Sequence, residues 1–155
     1  MQIDGLNPES LQGDSVYKKH FEMFNRGTPT IHIGDCPDLG PILFALAAAK
    51  NGGIFTGTRR LKLKESDRAT VMAEELKKFG TSVSVYDDTV VIFPAGFHAP
   101  SDVLYGHNDH RIVMSLAVIC TLFGGKIDGV EAVKKSYPEF FEALEKLGIS
   151  IKHIE

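Results

Sequence analysis

Short β-like runs alternate with helical patterns along the chain. The strand-like runs are Thr30–Ile33, Gly53–Gly57, Ser82–Tyr86, Thr89–Phe93, Lys126–Gly129 and Ser150–Ile154. Helical patterns cover Leu11–Phe24, Leu39–Lys50, Asp67–Phe79, His110–Phe123 and Pro138–Leu147. Met72, Leu76 and Phe79 recur at i, i+4, i+7, and Phe140, Leu144 and Leu147 repeat that spacing. Gly80 and Gly148 follow these two patterns and mark their ends. Asp87-Asp88 between two strand-like runs predicts a hairpin turn. Leu39–Ala49 and Ile112–Phe123 are apolar almost throughout. They are too short to span a membrane and are interrupted by Gly40, Pro41 and Ser115, so they predict helices buried on nearly all sides.

The pattern repeats. Leu39–Lys50 leads to Gly52-Gly53, a strand, Gly57, a basic loop and a helix ending Leu76-Lys77-Lys78-Phe79-Gly80. His110–Phe123 leads to Gly124-Gly125, a strand, Gly129, a basic loop and a helix ending Leu144-Glu145-Lys146-Leu147-Gly148. Paired features lie 68 to 72 residues apart. A duplicated β-α-β-α-β-β unit fits this, an α/β arrangement of the α+β type in which repeats share one core. The alternative is chance likeness of two α/β segments; the double glycine and the matching helix ends weigh against it.

At 155 residues the chain suits one domain or two small lobes, and 43% hydrophobic residues support a real core. A net charge of −3 and the lack of a basic arm argue against nucleic acid as the partner. Met1-Gln2-Ile3-Asp4 lacks the basic start and apolar core of a secretion signal, so the expected compartment is the cytoplasm. Cys36 and Cys120 lie in or beside apolar segments and are expected as buried thiols.

The richest chemistry lies in Lys64-Glu65-Ser66-Asp67-Arg68, two cations and two carboxylates at the start of a helical pattern. Lys64 and Arg68 are four apart, so on a helix they point the same way. By the repeat, Leu61–Arg68 corresponds to Val133–Pro138, and Cys36-Pro37-Asp38 to His107-Asn108-Asp109. Gathered on one face, Lys64, Arg68, Arg111 and Lys135 would form a cationic pocket for a small substrate bearing carboxylate and phosphate. Blander readings exist: a solvated, ion-paired helix face for Lys64 and Arg68, and N-caps for Asp38 and Asp109. His110 has a structural option too, satisfying a backbone group or orienting a neighbour. His98, His107 and His110 have no metal-site spacing with either cysteine, so no metal site is expected. The double glycines lie in no phosphate-loop pattern.

Four segments in order resemble motifs of the enolpyruvyl transferase family of EPSP synthases: Pro37-Asp38-Leu39-Gly40-Pro41, Lys64-Glu65-Ser66-Asp67-Arg68, Asn108-Asp109-His110-Arg111 and Lys135-Ser136-Tyr137-Pro138-Glu139-Phe140-Phe141. Ser10-Leu11-Gln12-Gly13-Asp14 looks like a further recurring stretch of that family. The resemblance implies transfer of the enolpyruvyl group of phosphoenolpyruvate to the 5-hydroxyl of shikimate 3-phosphate, with release of phosphate and no metal or other cofactor. It implies that Asp38 contacts the shikimate hydroxyls and helps deprotonate the attacking oxygen, with Lys64 between the substrates. Glu65 would handle the proton at the methylene carbon, Arg68 and Arg111 the phosphoenolpyruvate carboxylate, and Lys135 its phosphate. Asp109 and His110 would support them.

Members of that family are longer chains of two domains, each an inside-out barrel of repeated β-α-β-α-β-β units. The resemblance covers a partial C-terminal domain: residues 1–29 as a remnant of a preceding unit, 30–94 as a second unit and 101–155 as a third. The partner it implies is the N-terminal domain of such an enzyme, without which this stretch is expected to be inactive. Arg60 stands where some relatives carry Asn near the shikimate site. Two rival readings remain: a relative of the sister transferase acting on UDP-N-acetylglucosamine, which uses a loop cysteine, and a non-catalytic anion-binding α/β module.

Overall fold

The computed structural model describes residues 5, 7, 9–94 and 96–154. The segment Met1–Asp4, examined above for a secretion signal, lies outside the described residues, as does part of the expected 1–29 remnant. Helices and strands alternate. A 3-10 turn (Gly13–Val16), α1 (Tyr17–Met23) and a second 3-10 turn (Phe24–Arg26) come first. Then follow β1 (Thr30–His32), α2 (Gly40–Ala49), β2 (Gly53–Thr56), α3 (Arg68–Lys77), β3 (Ser82–Val85) and β4 (Thr89–Phe93). Last are β5 (Leu104–Tyr105), α4 (His110–Cys120), β6 (Ile127–Asp128) and α5 (Phe140–Lys146).

The larger sheet has the order β1-β2-β4-β3, with β1 and β2 parallel and β4 antiparallel to both its neighbours. The Asp87-Asp88 turn joins β3 to β4, closed by a 2.8 Å bond from the Tyr86 amide to the Thr89 carbonyl. The smaller sheet is β5 parallel to β6. Its register places Leu104 opposite Ile127 as Ile31 stands opposite Phe55 in the larger sheet. Both second strands end in a left-handed glycine, Gly57 (φ 73°, ψ 27°) and Gly129 (φ 71°, ψ 28°). Each glycine starts a 3-10 turn, Thr58–Leu63 and Val130–Lys135, so the two basic loops of the sequence are built alike.

The core joins both halves. Ile31, Leu43, Phe44, Phe55, Met72 and Phe79 pack in one cluster with Leu104, Ile112, Leu116 and Ile119. α2 is buried on nearly all sides, as its apolar run requires. α4 is not: Val118 is exposed, and beyond its end so are Leu122 and Phe123.

Two expected elements differ, and one strand was not expected. Leu11–Phe24 is broken into 3-10, α and 3-10 segments; Gly13 lies so close to the Asp35 carbonyl that a Cβ would collide with it, and in α1 itself no residue is buried to anchor a longer helix. Ser150–Ile154 forms no strand and no ladder. Its counterpart β3 pairs only with β4, and no equivalent of β4 follows among the described residues. β5 was not expected; it is two residues long and has no period to detect.

Candidate active site

Arg68 opens α3 and turns inward, where it is 1% exposed. Asp67, one residue earlier, caps the helix by accepting from the Thr70 amide and hydroxyl, which fixes where the helix starts. A buried guanidinium must be paired. Arg68 Nε donates to Asp109 Oδ2 at 2.8 Å and Nη2 to Asp109 Oδ1 at 3.2 Å. Nη1 donates to Asp38 Oδ1 at 2.8 Å, and Nη2 also to Glu65 Oε2 at 2.6 Å. Four of its five N–H groups are thereby used.

Asp109 is wholly buried (0% exposed) and does two jobs at once. It caps α4 by accepting from the Arg111 amide at 2.9 Å, and it receives Arg68 together with the Ser66 hydroxyl at 3.0 Å. Burial by itself raises the Asp109 carboxyl; the Arg68 hydrogen bonds and charge, the Arg111 amide and the Ser66 hydroxyl outweigh it and hold its pKa below the ordinary value. Burial likewise works to lower Arg68, but Asp109, Glu65 and Asp38 raise it above the ordinary arginine value.

Asp38 lies in the 3-10 turn Pro37–Leu39 ahead of α2 and makes no capping bond. It is the meeting point of three cations: Arg68, Lys64 Nζ at 2.9 Å and Arg111 Nη2 at 3.5 Å. Burial pushes its carboxyl up, and the Lys64 hydrogen bond with the charges of Arg111 and Lys64 brings it below its ordinary value. The Lys64–Arg68 pair therefore meets for a reason other than helical spacing. Lys64 is extended and precedes the helix (φ −95°, ψ −166°), and Asp38 draws the two together.

The remaining members sit around this knot. Glu65 Oε1 lies 3.6 Å from His110 Nδ1, a nitrogen with no hydrogen-bond partner. Arg111 is one-third exposed (33%), and its buried Nε has no partner. Lys135, at the end of its 3-10 turn, donates to the Asn108 carbonyl at 2.6 Å and to Asn108 Oδ1 at 2.8 Å. The structure thus brings Asp38, Lys64, Glu65, Arg68, Asp109, His110 and Arg111 into one cluster, and ties Lys135 to it through Asn108. It is a neutralised knot with cations on its open side rather than a purely cationic pocket, because Asp38, Glu65 and Asp109 are all engaged by Arg68. Arg60 donates to the Gly34 carbonyl at 2.8 Å. A groove of about 440 Å³ between β6 and residues 149–154 lies elsewhere and shares no residue with the cluster.

Ser66, Asn108 and Glu75 were not singled out in the sequence. Ser66 stood inside the Lys64–Arg68 segment. Asn108 carried the signal of a residue tolerant of left-handed backbone, and its φ is 54°. Glu75, a helical residue that tertiary packing alone buries, gave none.

Both cysteines are free. Burial, then the charges of Asp14 and Asp35, raise the Cys36 thiol, and burial pushes Cys120 up to about 11. Among the described residues no helix is long and apolar enough to cross a membrane.

The profile of the family EPSP synthase (3-phosphoshikimate 1-carboxyvinyltransferase) matches residues 11–144. A 3-phosphoshikimate 1-carboxyvinyltransferase of Natronomonas pharaonis is 38% identical over 125 residues, 79% of this chain and 28% of the relative. One of Methanoculleus marisnigri is 36% identical over 166 residues, 95% of this chain and 39% of the relative. A solved EPSP synthase from Acinetobacter baumannii superposes with a TM-score of 0.68 at 31% identity, over 81% of this chain and 32% of that one. The chain thus spans between about a quarter and two-fifths of the length of these proteins. With the family profile covering most of its length and the fold agreeing, this chain belongs to the EPSP synthase family.

Proposed function

We propose that this chain supplies one side of an enolpyruvyl-transfer site acting on phosphoenolpyruvate and shikimate 3-phosphate. In this reading residues 30–94 and 101–155 are consecutive units of the C-terminal domain, and the N-terminal domain of such an enzyme is the partner. The observation that carries it is the set of unused cationic donors around Asp38. Arg111 is one-third exposed and meets Asp38 only at 3.5 Å, and Lys135 keeps one of its three ammonium protons. These suit a carboxylate and a phosphate held side by side.

The chemistry is addition followed by elimination. The 5-hydroxyl oxygen bonds to C2 of phosphoenolpyruvate while a proton arrives at C3. The proton then leaves C3, the C2–O bond to phosphate breaks, and the double bond returns. Asp38 accepts the hydroxyl proton's hydrogen bond; trading its Lys64 contact for substrate raises its basicity as the oxygen attacks. Glu65 serves C3 through Oε1, the oxygen not bound to Arg68. Arg111 grips the carboxylate, Lys135 the phosphate, and Arg68 holds the carboxylates in place and offers its last N–H. The sister transferase using a loop cysteine is disfavoured, because both thiols are raised rather than lowered.

The test is phosphate release from phosphoenolpyruvate plus shikimate 3-phosphate by this chain, by the N-terminal part of a relative, and by both mixed. Turnover is expected only in the mixture. Phosphoenolpyruvate binding by the chain is expected to weaken about tenfold to a hundredfold in Arg111→Ala. Turnover by the chain alone would sink the half-site reading. No turnover in the mixture, with no phosphoenolpyruvate binding by the chain, would leave a non-catalytic module.

A further inference from the structure

Glu75 is a second buried charge, 2% exposed, on the same helix as Arg68. Seven residues separate them, two helical turns, so they share one face of α3. Arg68 reaches Asp109. Glu75 reaches the other end of the same loop: Oε2 accepts from the Tyr105 amide at 3.0 Å and Oε1 from His107 Nε2 at 2.9 Å. Its third partner is Lys78 Nζ at 2.8 Å, which also donates to the Val103 carbonyl and lies 4.6 Å over the Tyr105 ring. α3 thus grips residues 105–109 at both ends.

Between the grips stand two consecutive non-glycine residues in the left-handed region, His107 (φ 49°) and Asn108 (φ 54°). A non-glycine residue there is strained, and surrounding contacts must offset the strain. The turn has a use. It presents the Asn108 carbonyl and Oδ1 together to Lys135, and it delivers Asp109 to Arg68 and to the first turn of α4. Asn108 has Lys135 to hold it; His107 has the Glu75 carboxylate.

We propose that the Glu75–His107 contact is a positioning device, holding the left-handed 107–108 turn so that Asp109 stays on Arg68 while Lys135 and Arg111 face the substrate side of the cluster. The proposal rests on the enolpyruvyl-transfer reading for what is positioned, while the turn itself can be tested without any ligand. A carboxylate oxygen only accepts, so His107 Nε2 carries the proton in this contact.

The experiment compares His107→Ala with His107→Gly in the 155-residue chain. Both remove the imidazole. Only glycine accepts positive φ without cost. Hydrogen exchange of the Arg68 Nε–H, which lies in the bond to Asp109, is followed by NMR, with the Val90 and Ile92 amides on β4 as a remote control. In His107→Ala the Nε–H is expected to exchange about tenfold faster, and in His107→Gly to stay within about threefold of wild type, the β4 amides holding throughout. Equal loss in both variants, no change in the alanine variant, or parallel loss at β4 would overturn the proposal. A phosphoenolpyruvate titration of the same samples is expected to follow the same order. If the wild-type chain fails to bind phosphoenolpyruvate while the exchange pattern holds, the functional reading fails and the positioning device stands.

Discussion

The cluster is organised by one buried arginine. Arg68 and Asp109 are both removed from water; Asp109 takes its countercharge from Arg68, which pairs with Asp38 and Glu65 as well. Asp109→Asn keeps an acceptor for the Arg111 amide and removes the charge facing Arg68. It is expected to cost about 1–3 kcal/mol in urea unfolding, since it removes one of three carboxylates around a buried cation and leaves Asp38 and Glu65. Asp38 and Asp109 both titrate lower in the folded chain than when unfolded, so the folded state binds fewer protons under acid conditions. Their contribution is complete above the unfolded carboxyl value near about pH 4 and is lost as pH falls below it. Stability of the wild type is therefore expected to drop on acidification below about pH 4, and to drop less steeply in Asp109→Asn. An equal acid slope in the variant would show that Asp109 is not among the groups responsible. Asp109 was legible as a cap; it is also the buried counter-ion of Arg68, and only the position of Arg68 reveals that.

At the level of elements, the repeated glycine turns carry the basic loops to corresponding places. Gly57 and Gly129 share their left-handed conformation but not their surroundings. A Cβ on Gly57 would lie 2.6 Å from the His32 ring and 2.8 Å from the Gly34 amide nitrogen, whereas on Gly129 its nearest neighbour would be 3.7 Å away. Gly129→Ala is expected to cost about 1–2 kcal/mol from backbone strain alone, and Gly57→Ala measurably more, compared by denaturant midpoint. Equal costs would mean that His32 and Gly34 shift aside freely. The hairpin β3–β4 matched its expected span because its alternation and its Asp87-Asp88 turn are local signals. Residues 150–154 have the composition of a strand without the ladder, because pairing belongs to two strands and not to one.

Across the whole molecule the two repeated segments share one core, with Leu104, Ile112 and Leu116 packed among Ile31, Phe44 and Phe55. Neither half keeps that interior dry alone. Unfolding by urea is expected to be a single transition, with probes at Ile92 and at Leu116 losing protection together; two separate transitions would show independent lobes. The sequence by itself determined most of the helices and strands, though neither β5 nor the lack of a strand at 150–154, and it marked the candidate residues and the repeated pattern. Those rest on local periodicity, on glycine and proline punctuation, and on motifs that are contiguous in the chain. Tertiary structure alone decided that Arg68 is buried rather than open, that Asp38 collects Lys64 and Arg111, and that Glu75 pins a left-handed turn 32 residues away. The physical reason is that a buried charge is defined by its partners, and here those partners come from loops ahead of different helices that only the shared core brings together.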